Sequence, residues 1–103
     1  MITSKVDNGN LMLVFEEPVD ASNAMELQDE VFKLCAENGV YSVTIDADNM
    51  KSISSAALRL LMKLTKITNN NITVINANPI VYDTLEYTGF GDLISVQMKL
   101  NNA

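Results

Sequence analysis

The chain has 103 residues, 48% of them apolar, and its 13 acidic side chains outnumber the seven basic ones to give a net charge of −6. This length fits one domain with a packed core, spanning residues 1–103, and leaves no room for a second. The acidic balance argues against binding to nucleic acids or to acidic membranes, and it favours a protein partner with a basic or mixed surface.

Histidine is absent and Cys35 is the single cysteine. The chain therefore lacks the commonest general base near neutral pH, and it cannot form an internal disulfide or a Cys/His metal site. It contains neither a signal peptide nor a run of about 18 apolar residues, so we expect a cytoplasmic protein. Together these features predict a protein that is not an enzyme and that carries no cofactor and no metal.

The chain opens with a pattern that predicts a β-hairpin. Residues 1–7 are typical of an edge strand, and Asn8-Gly9 is typical of a tight turn in which glycine supplies a positive φ. Residues 11–16 are a nearly continuous run of apolar and β-prone residues, which predicts a strand buried on both faces.

A helix is predicted next, over residues 23–37. Asn23 is placed to cap this helix, and Glu26 follows at the spacing of a capping box. Apolar side chains recur on one face at helical spacing. Cys35 lies on that face, and we interpret it as a small core residue rather than a nucleophile.

The rest of the chain alternates strands with helices. Strands are predicted over residues 40–46, 72–76 and 93–98, and helices over residues 55–68 and 79–87. Ser54 and Asn78 are the predicted caps of these helices. The complete order ββαβαβαβ predicts an α/β fold with a mixed, mostly parallel sheet of four to five strands and with helices mainly on one face.

Two serines stand where the helix over residues 55–68 begins, and the first N–H groups of a helix have no partners inside it. One interpretation is structural: Ser54 caps the helix and Ser55 is an ordinary residue of the first turn. The other is a switch. A phosphate on Ser55 would add about −1.5 to −2 charges at the positive end of the helix, leave the fold intact and confront a docked partner with a bulky dianion.

Two loops are expected beside these serines, because loops at the carboxyl ends of parallel strands share one edge of a sheet. The predicted partner-binding residues are Ser54, Ser55, Arg59, Asp48, Asn49, Asp20 and Asn23. For Arg59, the alternatives are pairing with a phosphate or a partner carboxylate, and simple exposure to solvent. Asp20, Asp46 and Asp48 are interpreted as loop-capping residues, since a full set of calcium-spaced oxygen ligands is missing.

Three segments resemble one known family. The stretch Ile53-Ser54-Ser55-Ala56-Ala57-Leu58-Arg59-Leu60-Leu61 resembles the STAS signature, in which a strand and a short loop lead to Ser-Ser at the start of a helix. Residues 76–96 are similar to the family's final helix, Gly-Phe turn and last strand. The stretch from Val19 to Leu27 resembles the segment that precedes and opens the first helix. The three matches follow the family's order along most of the chain.

The resemblance implies an anti-sigma factor antagonist, which is a binding module. In such members, an anti-sigma factor with serine kinase activity phosphorylates a serine at the start of this helix. The unphosphorylated form binds that factor and releases a sigma factor, and a serine phosphatase resets the system. Alignment with the family's Asp-Ser-Ser-Gly pattern places Ser55 at the phosphoacceptor position.

The same alignment reveals three departures from the family pattern. Its acidic residue, second serine and glycine are replaced by Ser54, Ala56 and Ala57. These replacements keep a second hypothesis open, in which the chain is a scaffold or a component of a larger signalling complex without phosphorylation. A small enzyme is a third and weaker hypothesis, because the chain has no histidine and no metal motif.

Overall fold

The polypeptide winds in one direction across a five-stranded sheet. The computed structural model describes residues 2–100. The strands are β1 (Ile2–Asp7), β2 (Asn10–Phe15), β3 (Ser42–Asp46), β4 (Ile72–Ala77) and β5 (Ser95–Met98). The helices are α1 (Ala24–Glu37), α2 (Ser55–Ile67) and α3 (Pro79–Tyr87), followed by a short 3₁₀-helix, Phe90–Asp92. The predicted order ββαβαβαβ is confirmed, although Met1 of the predicted first strand lies outside the described residues.

The strands lie side by side in chain order, with β1 antiparallel to β2 and every later pair parallel. Each crossover therefore advances one strand in the same direction. Since parallel crossovers are right-handed, this order places all three helices on the same face of the sheet. The carboxyl ends of β2, β3 and β4 consequently lead into α1, α2 and α3 along one edge of the sheet.

The opening hairpin turns where the sequence predicts. Asn8 and Gly9 have φ values of 50° and 79°, so both central residues of the turn adopt the left-handed conformation that a tight hairpin requires. This turn fixes the pairing of β1 with β2, from Asp7 opposite Asn10 to Ile2 opposite Phe15.

Burial along β2 alternates, so the prediction of a strand buried on both faces is wrong. Leu11, Leu13 and Phe15 are buried, whereas Met12 and Val14 are only half-buried. The reason is the one-sided arrangement of the helices, which cover one face of every strand and leave the other face without a helical layer. The predicted one-sided coverage by helices is confirmed.

One contiguous core lies between the sheet and the helices. The largest fully buried side chains are Leu11, Leu13, Leu64, Leu85, Val31, Val43 and Val81, and they come from β2, β3 and all three helices. Cys35 is also buried in this core, and burial raises the pKa of its thiol, as expected for a packing residue. Within residues 2–100, no helix combines the length and the apolar character needed to cross a bilayer.

Candidate functional site

Ser54 closes the loop between β3 and α2 and caps the helix, as predicted. Its Oγ accepts a hydrogen bond from the N–H of Ala57 at 3.0 Å, which satisfies one of the donors that a helix leaves unpaired. The same hydroxyl donates to the carbonyl of Val19 at 2.5 Å. Ser54 therefore ties the β3–α2 loop, residues 47–54, to the β2–α1 loop, residues 16–23.

Ser55 is the first residue of α2, and its side chain is exposed. The first turn of this helix contains no acidic residue, so the positive end of its dipole is not offset there by a carboxylate. Arg59 lies four residues further on and is also exposed, so the same side of α2 presents a hydroxyl and a cation to solvent. This geometry suits a surface that binds a partner and is altered by an added charge.

Asp20, rather than Asn23, organises the start of α1. The Asp20 carboxylate accepts hydrogen bonds from the hydroxyl and the N–H of Ser22, at 2.6 and 2.8 Å, and from the N–H of Asn23 at 3.1 Å. The Ser22 hydroxyl, followed by these N–H groups, holds the pKa of Asp20 below its ordinary value. The result is a fixed turn that precedes the helix.

The prediction that Asn23 caps α1 in a capping box with Glu26 is wrong. Asn23 stands at the N-cap position, but its side chain makes no hydrogen bond to the helix. Its Oδ1 accepts from the N–H of Asp20 at 2.9 Å, and its Nδ2 donates to the carbonyl of Pro18 at 2.9 Å. Both polar atoms of the Asn23 side chain therefore bond within the β2–α1 loop, close to the Ser54–Val19 bond, and these bonds restrain the loop.

The two loops enclose an open cleft of about 330 Å³ next to the start of α2. Its apolar lining includes Phe15, Val19, Met50 and Ala57, and its polar lining includes Glu16, Asn49, Lys51, Ser52 and Ser54. The structure therefore brings Asn49 and Ser54 to one concave surface. Asp20 and Asn23 belong to the loop that forms the other wall, and Ser55 and Arg59 follow Ser54 on the exposed side of α2.

Asp48 faces the end of β5 instead of the cleft. Its carboxylate pairs with the Nζ of Lys99 at 2.5 Å, and this carboxylate raises the pKa of the lysine. Asp46 accepts hydrogen bonds from the N–H of Asp48 and from the Nδ2 of Asn76, both at 3.0 Å. Both aspartates thus hold the β3–α2 loop, and the part of the chain described here has no group of three or more potential ligands arranged for a metal ion.

Three residues that hold this loop were not predicted from the sequence. Lys99 and Asn76 were not identified at all, and Asn78 was identified only as the cap of α3. Asn78 does cap α3, and its Nδ2 also donates to the carbonyls of Met50 and Lys51. Asn76 adopts a φ of 59° where the pairing of β4 with β5 shifts register. The sequence signal for Asn76 and Asn78 was only that an asparagine lies near the end of a strand. This signal does not indicate which distant residue the side chain bonds.

A family model described as the STAS domain matches residues 1–103. A structure from Thermotoga maritima, described as a candidate anti-sigma factor antagonist, has 16% identity and a TM-score of 0.83 over 93% of this chain and 85% of that one. No curated protein sequence matches the chain.

Two further structures share the fold. The anti-sigma factor antagonist SpoIIAA of Bacillus, in its unphosphorylated form, has 10% identity and a TM-score of 0.79 over 93% of this chain and 87% of that one. SpoIIAA also has a structure in the phosphorylated form. A chain of the stressosome, described as a signal integration and transduction hub, has 14% identity and a TM-score of 0.73 over 95% of this chain and 89% of that one. At these identities, the likeness establishes a common fold.

Proposed function

This chain belongs to the STAS domain family, and we propose that it is a cytoplasmic anti-sigma factor antagonist controlled by phosphorylation of Ser55. Its unphosphorylated form binds an anti-sigma factor with serine kinase activity and thereby releases a sigma factor, and a serine phosphatase restores that form. The family consists of binding modules rather than enzymes, in agreement with the prediction from composition.

The observation that carries the proposal is the contrast between two adjacent serines. Ser54 is half-buried, and its hydroxyl is used in two structural hydrogen bonds. Ser55 is exposed at the first position of α2. A phosphate on Ser55 would therefore change the surface while leaving the helix cap intact.

Electrostatics favour such a switch over unfolding. A dianion near the start of a helix gains about 0.3–1 kcal/mol from the helix dipole at an exposed site. A partner that docks closely on this surface would instead meet a bulky dianion, for which it would have to make room and which it would have to desolvate. The phosphate is thus expected to act on binding far more than on folding.

The proposed partner surface surrounds the cleft beside α2. It comprises Ser54, Ser55, Arg59, Asn49, Asp20 and Asn23, and it extends along the β3–α2 loop to Asp48, whose carboxylate pairs with Lys99. The chain's net charge of −6 favours a partner whose docking face is basic or mixed. The existence of SpoIIAA structures in both phosphorylation states is a precedent for a switch that preserves this fold.

The test is a comparison of two variants against the purified anti-sigma factor kinase of the same organism. Ser55→Asp should weaken binding by more than tenfold, which is about 1.4 kcal/mol, whereas Ser55→Ala should bind like the unmodified protein. Ser95→Asp is the matched control. Ser95 is exposed at the amino end of β5, whereas the loops of the cleft follow the carboxyl ends of the strands. Equal affinities of the two Ser55 variants would contradict the proposal.

A second candidate function is a scaffold in a larger signalling complex. It is favoured by Ala57, which occupies the glycine position of the antagonist motif and lines the cleft, and by the stressosome chain that shares the fold. A scaffold would enter a stable large assembly regardless of the residue at position 55. Size-exclusion chromatography of the Ser55→Asp and Ser55→Ala variants with their partners distinguishes this function from the switch.

A further inference from the structure

Asn78 lies at the junction of β4 and α3, outside the predicted binding surface, yet its side chain contacts the loop that leads to Ser55. Its Oδ1 accepts a hydrogen bond from the N–H of Val81 at 2.8 Å. Its Nδ2 donates to the carbonyl of Met50 at 3.0 Å and to that of Lys51 at 3.1 Å. One half-buried amide therefore caps α3 and holds the β3–α2 loop at the same time.

The two carbonyls belong to a segment without regular structure. Residues 47–53 form turns and bends between β3 and α2, so few of their backbone groups take part in a ladder. Met50 donates its own N–H to the carbonyl of Ala47 at 3.0 Å, which forms a turn. The Asn78 amide adds two further bonds just beyond this turn. It is therefore placed to define where the middle of the loop lies.

The middle of the loop is also one wall of the cleft. Asn49, Met50 and Lys51 line it, opposite residues of the β2–α1 loop. A shift of the loop would change both the width of the cleft and the position of Asn49, while the Ser54–Val19 bond would still anchor the end of the loop. The fit of a docked partner thus depends on the bonds that the loop makes to β4 and α3.

We propose that Asn78 is a positioning residue for the partner-binding surface, acting through the carbonyls of Met50 and Lys51 rather than through contact with the partner. The effect on affinity rests on the proposed function, whereas the effect on the loop does not. The Asn78 side chain bonds to both α3 and the β3–α2 loop. A substitution that keeps the cap of α3 but removes the two bonds to the carbonyls should therefore release the loop.

Two substitutions separate the two roles of this amide. Asn78→Ser keeps a good N-cap acceptor for Val81, but its shorter side chain does not reach both carbonyls. Asn78→Asp keeps the cap and the size of the side chain, but it directs a carboxylate without N–H donors toward two carbonyl oxygens. The matched control is Asn71→Ser at the opposite end of β4, where the amide donates to the carbonyl of Tyr41 at 3.5 Å.

The measurement is amide hydrogen exchange by NMR on the whole chain, without a partner. The Met50 N–H reports on the loop, and the N–H groups of Val81 and Tyr82 report on the cap of α3. In both Asn78 variants, exchange at Met50 should accelerate by about tenfold, because two hydrogen bonds that hold the loop are lost. Exchange at Val81 and Tyr82 should change little, and Asn71→Ser should leave the Met50 rate unaltered.

Affinity for the anti-sigma factor kinase of the same organism is then measured for the same three variants. We expect about tenfold weaker binding for both Asn78 variants and no change for Asn71→Ser. Unchanged exchange at Met50 in both Asn78 variants would overturn the inference, as would a loosened loop with undiminished affinity. A loosened loop in a protein whose unsubstituted form does not bind the kinase would leave Asn78 as the loop's positioning residue and refute the proposed function instead.

Discussion

Ser54 and Ser55 are chemically identical neighbours with different surroundings. Ser54 is turned inward, where its hydroxyl accepts from Ala57 and donates to Val19, and Ser55 is turned to solvent. The cap was predictable from the sequence, because it is a local hydrogen bond within four residues. The bond to Val19 was not predictable, because nothing in the pattern around Ser54 identifies an acceptor in another loop.

Substitution of the two serines should affect stability very differently. Ser54→Ala should lower the free energy of unfolding by about 0.5–2 kcal/mol, because a helix cap is lost. Ser55→Ala should change it by less than about 0.5 kcal/mol, as is usual for an exposed site. Urea denaturation followed by circular dichroism measures both values. A larger loss for Ser55→Ala than for Ser54→Ala would reverse the structural roles assigned to them.

Asp20 should titrate below its ordinary pKa of 3.8. The hydroxyl of Ser22 is the main cause, and the N–H groups of Ser22 and Asn23 add to it. Because the folded pKa is lower than the unfolded one, these bonds stabilise the protein above pH 3.8, and their contribution is lost as the pH falls through the folded pKa.

NMR titration of the Asp20 carboxyl carbon checks this pKa. The midpoint in the folded protein should lie below that in the urea-unfolded chain, and Ser22→Ala should move it upward because the largest stabilising contact is removed. A midpoint that does not respond to Ser22→Ala would show that the Ser22 hydroxyl is not the cause.

The side-chain caps were predicted correctly for two of the three α-helices, and the exception at α1 has a local explanation. Ser54 and Asn78 cap α2 and α3 from extended backbone conformations. Asn23 has the right residue type, but its backbone is not extended, and its side-chain oxygen accepts from the N–H of Asp20 instead of from the helix. A short polar side chain at a helix start can bond either to the helix or to the loop before it, and a spacing rule does not determine which of the two prevails.

The alternating burial of β2 and its neighbour β3 can be tested with two isosteric substitutions. Val43 on β3 is 1% exposed, so Val43→Thr should cost about 1–3 kcal/mol of unfolding free energy, because a hydroxyl is buried in an apolar core. Val14 on β2 is half-buried on the face without helices, so Val14→Thr should cost less than about 0.5 kcal/mol. Thermal and urea denaturation measure both. Equal losses would mean that the second face of the sheet is covered as well.

The path of the whole chain explains why the predicted site residues converge. Since all three crossovers advance the same way along the sheet, the loops that follow β2, β3 and β4 gather at one edge. This convergence follows from the order of strands and helices, which periodicity and turn residues reveal in the sequence. The fold and the neighbourhood of the two loops were therefore predictable.

The contacts that fix the site were not predictable, because each joins residues that are distant in the chain. The pairs Ser54–Val19, Asn78–Met50 and Lys99–Asp48 connect different loops and strand ends. The acceptor is a backbone carbonyl in the first two pairs and an exposed carboxylate in the third. Neither kind of acceptor can be recognised from a sequence pattern. Asp48 is an example, since nothing in the sequence indicates its ion pair with Lys99.

The central claim is that the exposed Ser55 carries a regulatory phosphate. Site-resolved phosphopeptide mass spectrometry on this protein, isolated from its own cells under several growth conditions, tests it most directly. We predict phosphate on Ser55 in an amount that varies with conditions, and none on the adjacent Ser54, whose hydroxyl is held by two hydrogen bonds. Absence of phosphate from Ser55 under every condition would contradict the switch and favour the scaffold.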